Sequence, residues 1–285
     1  MKNQFIINLV PKDTFIHRLT GKTKVLLFIS FIFYTLISFD LRLLLPLFIV
    51  TFPVLKSLKP NWKVVISLFA FIFFMNFINL IIYWLVDPNI GNYYTNSKNT
   101  ILITLNTHYY VSLQTLWYLA IRHLKLMTSF MVSLVFILSI TPSELAAGLY
   151  GLKVPYKLCT IVSLAFRYIP DISNDFDNIK ISLQARGLEL DKRRLNIIKR
   201  LRDNIFILLP LIVSSFDRIG TIANALDLRA YGLLNKRTYY CEHEPSKYDY
   251  ILRYISVIVI LLSFTWIVSR LIWVPSTRMW YPFEG

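Results

Sequence analysis

Charge is scarce in this chain. Asp, Glu, Lys and Arg make up 16% of its 285 residues, against about 25% in a soluble globular protein. A chain so poor in charge cannot clothe a water-exposed surface, and with 55% hydrophobic residues it cannot be disordered either. Cysteine is limited to Cys159 and Cys241, which excludes a disulfide scaffold. The eight glycines include no G-x-x-x-x-G-K-[ST], so the chain has no phosphate-cradling loop of its own. What is plentiful is apolar and aromatic: 21 Phe, 17 Tyr and 6 Trp, with a mean hydropathy of +0.53. These proportions define a polytopic membrane protein.

A helix needs ~20 apolar residues to cross the hydrocarbon core. Five stretches qualify or nearly do: about 25–39, 43–55, 64–86, 111–140, and a last one within 249–273 whose apolar centre is Ile255 to Ile267. The first two are short. They read as a hairpin of short or tilted helices, the second carrying Pro46 and Pro53, with flanking Lys side chains making up length. Arg122, His123 and Lys125 interrupt the fourth, and an end or loop position would accommodate the two cations. The polar stretch Asp87 to His108 reads as a loop.

The excess of base over acid, 31 against 16 for a net +15, has two readings. In a soluble chain it would point to nucleic acid. Its distribution points instead to topology. With a cytoplasmic N-terminus, the inner segments 1–24, 56–63 and 141–247 hold 5, 3 and 16 Lys and Arg, while the outer loops hold only Arg42 and Lys98. Inner loops of membrane proteins collect Lys and Arg in this way, so no nucleic-acid partner is needed.

Residues 141–248 carry too much charge to thread lipid and read as cytoplasmic helices. Thr141-Pro142-Ser143-Glu144 is a capping box with Pro in the first helical position, opening a helix that ends at Gly151. Pro155 opens another, which Pro170 is expected to stop. Two further helices share a plan, one from Asp171 to Ala185-Arg186-Gly187, the other from near Asp203 to Leu228-Arg229-Ala230-Tyr231-Gly232. Each has acid near its start, where the helix dipole is positive, and Arg with a Gly near its end. A local role, an Arg satisfying the last carbonyls, is one reading. The other is docking. The second helix has an apolar run from Ile205 to Val213, too apolar for water and too short to span separately. Ser214, Ser215, Gly220, Ala223 and Ala225 then offer small surfaces for close helix crossing. An exposed Arg at the end of each crossed helix suits bidentate pairing with a partner carboxylate.

These residues resemble the transmembrane coupling (T) component of energy-coupling factor (ECF) transporters, the EcfT/CbiQ family. Ile16-His17-Arg18-Leu19 with Lys22-Thr23-Lys24 is similar to the family's opening pattern, with Thr20-Gly21 where Asp-Pro is usual. Thr141-Pro142-Ser143-Glu144-Leu145 and Phe166-Arg167-Tyr168-Ile169-Pro170 resemble two further signatures. Gln184-Ala185-Arg186-Gly187-Leu188 matches the first Ala-Arg-Gly motif, and the stretch Ala225 to Gly232 resembles the second, with Leu228 and Ala230 flanking Arg229. The two Arg are 43 residues apart. The resemblance implies an all-α integral membrane protein with about five transmembrane helices and a cytoplasmic coupling-helix domain, in the bacterial cell membrane. It implies a non-catalytic subunit that binds no cofactor itself. Its partners would be two ABC ATPase subunits holding ATP and Mg, docked on the Ala185–Gly187 and Leu228–Gly232 motifs, and a separate S component that binds a vitamin or metal ion.

Two other functions are open to such a chain. A freestanding secondary transporter would want inverted repeats and buried ionisable groups; no repeat is apparent, and the third span offers only Asn76 and Asn79. A membrane-embedded enzyme would need converging groups. Asp171, Asp175 and Asp177 do not share one helix face and read as helix-start acids, and Cys241-Glu242-His243-Glu244 lacks a second half at metal-ligand spacing.

Overall fold

A computed structural model describes residues 14–95, 100–104, 110–187, 197–234, 238–239, 241, 243–273 and 279–282, with the backbone path alone for 197–204 and 270–273. Of the sequence features above, Lys98, His108, Leu188 and Glu242 lie outside the described residues, as do Arg278 and most of the stretch 274–285, which the sequence marks as a C-terminal tail. The chain forms two compact units, residues 1–152 with 243–285, and residues 153–242. It is an all-α integral membrane protein with one small antiparallel ribbon.

In the first unit, α1 (Gly21–Ile37) and α2 (Leu41–Ser57) form the expected hairpin, followed by α3 (Trp62–Val86). The stretch read as a loop instead contains a short α4 (Ile90–Thr95) and the strand β1 (Ile101–Thr104), which pairs antiparallel with β2 (Tyr110–Ser112) just beyond it, Thr104 opposite Tyr110. Val111 lies in β2, so the fourth apolar run becomes helical only at α5 (Leu113–Ser139), where the Ser112 hydroxyl accepts the Thr115 N–H as N-cap. α6 (Pro142–Gly151) and α9 (Lys247–Trp273) complete the unit.

α5 is the central element, packed by α1, α2, α3 and α4. Leu55, Val65, Met131 and Leu134 form one buried cluster; Leu44, Tyr118, Ile121 and Met279 form another. The second is sealed by residues from the end of the chain. Met279 N–H donates to the Tyr94 carbonyl at 2.7 Å, Trp117 Nε1 donates to the Trp280 carbonyl at 3.0 Å, and the Arg42 guanidinium stands 3.7 Å from the Trp280 ring centroid.

Arg122 and Lys125 are at neither an end nor a loop: both lie inside α5. Each has a structural task there. Lys125 Nζ donates to the Leu36 carbonyl at 2.7 Å, satisfying an orphan acceptor in the last turn of α1, and stands 3.5 Å from the Phe39 ring centroid. Arg122 stacks over Tyr83 at 3.5 Å and donates to the Tyr118 hydroxyl at 3.2 Å.

α6 opens with the complete capping box: Glu144 N–H donates to Thr141 Oγ1, and Thr141 N–H donates to Glu144 Oε2 at 2.9 Å. It packs against the start of α1 so closely that a Cβ on Gly21 would overlap the Glu144 carbonyl. Gly148 similarly faces the Gly21 carbonyl. Only hydrogen fits at that crossing.

Among the described residues, four helical stretches are long and apolar enough to cross a membrane: α3, α5, residues Ile205–Leu228, and Lys247–Ser269 of α9. The third corrects the expectation that this segment is too short.

Candidate functional site

The second unit is built on two long helices, α7 (Tyr156–Ala185) and α8 (Ile197–Leu228). Pro170 does not stop a helix, and Asp171 does not start one; α7 runs through both. A proline inside a helix loses one hydrogen bond and crowds the preceding turn, but α8 packs alongside, and its Arg218 reaches Tyr168 before the proline and Asp175 after it. Asp171, Asp175 and Asp177 are therefore interior residues rather than helix-start acids. Asp175 is in an ion pair with Arg218 of α8, and Arg218 also lies 6.0 Å from the Tyr168 ring centroid. α8 starts at Ile197 rather than near Asp203. Gly220 is not part of a close crossing, since a Cβ there would meet nothing within 4 Å, and Ala223 and Ala225 are exposed. A charged pair, not a small-residue stripe, marks where the helices meet.

Both sequence motifs close a helix, and they do so in the same way. Arg186 is the C-cap of α7, its N–H donating to the Ser182 and Leu183 carbonyls, and Gly187 follows at φ +90° with its N–H on the Gln184 carbonyl at 3.0 Å. At the end of α8, Ala230 takes the left-handed conformation at φ +54°. Its N–H donates to the Asp227 carbonyl at 2.9 Å, and Tyr231 N–H reaches back to the Leu226 carbonyl at 3.0 Å. This is the Schellman pattern, with Arg229 in the place of Arg186 and Ala230 in the place of Gly187. The departure from Ala-Arg-Gly thus preserves the backbone turn while placing a Cβ where left-handed geometry costs about 1–2 kcal/mol. Gly232, at φ +102°, makes a second left-handed turn two residues on.

Ala185, Arg186, Gly187, Leu228, Arg229, Ala230 and Gly232 are exposed, Leu228 at 89%. Neither guanidinium enters an ion pair among the described residues. Tyr231 is half-buried because its ring packs edge-on to Tyr156 in the first turn of α7, centroids 5.7 Å apart. Close by, burial pushes the Cys159 thiol and the Tyr239 hydroxyl above their ordinary pKa values. Tyr156 and Tyr239 are contributors that sequence reading missed; an isolated tyrosine at a helix start carries no local signal of a ring 75 residues away.

The Tyr156–Tyr231 contact fixes direction: the end of α8 lies at the start of α7. Asp175 and Arg218 each sit eleven residues before the Arg of their own helix. At 1.5 Å per residue, each Arg stands about 16 Å along its helix from that pair. The two lie on opposite sides of it. The structure thus carries two tips facing apart, with equal arms. Between them lies apolar surface: Ile161, Ile181, Leu209, Phe216 and Ile219 are all more than half exposed.

A largely helical membrane unit carrying an inserted helix pair tipped by two arginines defines a class of integral membrane protein. The sequence profile of the CbiQ family, described as cobalt transport protein, matches residues 12–240, a span containing both arginine motifs, and the chain belongs to that family. It is 29% identical to an energy-coupling factor transporter transmembrane protein EcfT of Staphylococcus aureus, over 84% of this chain and 88% of the relative. It is 26% identical to proteins of the same name from Lactococcus lactis, over 93% of this chain and 98% of the relative, and from Clostridium kluyveri, over 93% and 96%.

Proposed function

We propose that this chain is the non-catalytic coupling subunit of an ABC-type importer. It joins two ATPase subunits, which bind ATP and Mg and hydrolyse the nucleotide, to a separate S component that captures a vitamin or a metal ion. The second unit and the chain N-terminus are cytoplasmic, α1, α2, α3, α5 and α9 are the five spans, and the membrane is the bacterial cell membrane. Arg186 and Arg229 are the docking side chains. Each enters a groove on one ATPase and forms a bidentate pair with a carboxylate there, with Leu228, Ala230, Tyr231 and Gly232 shaping the second contact and Ala185 and Gly187 the first.

One observation carries this reading: two exposed arginines, unpaired within the described chain, stand on opposite arms of equal length from the Asp175–Arg218 crossing. Two separate grooves need two separated plugs. The name of the relatives, energy-coupling factor transporter transmembrane protein, supports it. The apolar surface of α7 and α8 is the face on which an S component, itself a membrane protein, would ride.

The test is co-purification in detergent with the ATPase pair encoded by the same organism. The wild-type chain is expected to retain both ATPases, and Arg186→Ala/Arg229→Ala to lose them, since truncating one member of a buried interfacial charge pair weakens binding by about 30-fold or more per contact. Full retention by the double variant, with normal uptake in proteoliposomes, would sink the reading.

A further inference from the structure

The second unit leaves the first after α6 and returns to it at residue 243. Both roots are fastened to the same five residues, Thr20 to Lys24, by buried polar contacts. At the outgoing root, Lys24 Nζ pairs with Glu144 Oε2 at 2.9 Å and also donates to the His17 carbonyl at 3.1 Å. At the returning root, Asp249 Oδ1 accepts from Thr20 N–H at 2.9 Å and from Thr20 Oγ1 at 2.8 Å. Arg253 adds donors to Thr23 Oγ1 at 2.9 Å and to Thr20 Oγ1 at 2.8 Å. His243 Nε2 bonds the Arg18 carbonyl at 2.8 Å. Lys24 and Thr20 are 3% and 5% exposed, and Asp249 and Thr23 are fully buried.

The two roots share a device. Glu144 caps α6 through Thr141 N–H, and Asp249 caps α9 through Ser246 N–H at 3.0 Å. In each helix the acid three residues past the N-cap both closes its own first turn and binds the Thr20–Lys24 segment. A helix start needs only the first of these contacts. The second orients each root against one fixed strip of backbone, and Gly21, pressed on the Glu144 carbonyl, leaves that strip no room to slide.

We infer that Thr20–Lys24 is the common anchor of both roots, and that Lys24, Glu144, Thr20 and Asp249 are positioning residues for transport. Resting on the coupling function proposed above, this assigns the anchor a role: motion delivered through the second unit reaches the membrane helices at two roots whose separation the anchor holds. With the anchor cut, ATP is still hydrolysed but the stroke is lost at the roots.

Lys24→Met/Glu144→Gln cuts the outgoing tie without leaving a lone buried charge, and Gln can still cap α6. Thr20→Val cuts the hydroxyl contacts of the returning tie. The first readout is amide hydrogen exchange of the purified full-length chain. Either variant is expected to accelerate exchange at both roots, residues 141–145 and 246–250. Acceleration confined to the variant's own root, or none at all, overturns the common anchor. The second readout is the reconstituted complex, in which uptake is expected to fall about tenfold, within the ~5–150-fold range of ordinary intersite coupling, while ATPase turnover and the amount of assembled complex stay unchanged. Uptake that falls only in proportion to ATPase activity, or does not fall, overturns the positioning role. Should the wild-type chain fail to bind ATPases, the coupling reading fails while the exchange measurement still decides the anchor.

Discussion

Lys24 and Arg218 each pair with one carboxylate, Glu144 in the first unit and Asp175 in the second, yet the two pairs live in different surroundings. The Lys24 side chain is 1% exposed and its carboxylate 13%, whereas Arg218 and Asp175 are 27% and 31% exposed. Around Lys24 every charge is braced by neutral donors and acceptors from three elements. Arg218 and Asp175 remain partly exposed, and large apolar residues of both helices face outward. The difference teaches how the molecule divides its labour. At this pair the first unit satisfies its buried charges internally. Among the described residues the second unit joins its two helices through the Asp175–Arg218 pair and ring contacts at Tyr168 and Tyr231, and leaves two arginine tips exposed.

Mutations can break this contrast. The largest stability effect is expected from Lys24→Met alone, which strands Glu144 and costs about 3–5 kcal/mol, as for other half-removed buried pairs. Adding Glu144→Gln should recover most of that loss in thermal unfolding followed by circular dichroism in detergent. A Lys24→Met protein as stable as wild type would mean that the pair is not buried in the working protein. Smaller effects are expected at the two helix ends. Ala230→Gly relieves a left-handed Cβ and should stabilise the second unit by about 1 kcal/mol, and Gly187→Ala should destabilise it by a similar amount. Opposite signs at equivalent positions are the signature of a shared turn; equal signs would show that the two ends are built differently. The smallest change is expected from Arg218→Ala, at most about 1 kcal/mol, because half-exposed pairs are screened. A loss as large as that of Lys24→Met would erase the distinction between the units.

Much of this was readable along the chain. Apolar runs placed five of the helices within a few residues, and Thr141 to Glu144 announced the start of α6. The arginine ends were legible because a Gly just after an Arg, next in sequence at Gly187 and three residues on at Gly232, is a local statement about how a helix stops. Proline misled at Pro170: the rule that it ends helices describes chains free to turn away, and α7 continues through it beside a neighbour that local sequence does not reveal. Acid patterning misled at Asp171 and Asp177 for the same reason, since their meaning depended on where the helix begins. Contacts between Thr20 and Asp249, 229 residues apart, have no local signature at all. Nor did Arg122 and Lys125 disclose that their partners would be an aromatic face and the end of another helix.

That last arrangement bears on the lipid. α1 and α2 have 17 residues each, so each is about 25 Å long, short of the ~30 Å hydrocarbon thickness. In the topology proposed above, with α1 and α2 as spans and Lys125 holding a cation where α1 ends, the hydrocarbon beside the hairpin would pinch inward while the 25-residue α3 sits at full depth. On that proposal the protein would carry a thin flank, and a neighbour with a narrow apolar girdle would settle against it at less cost than elsewhere along the perimeter.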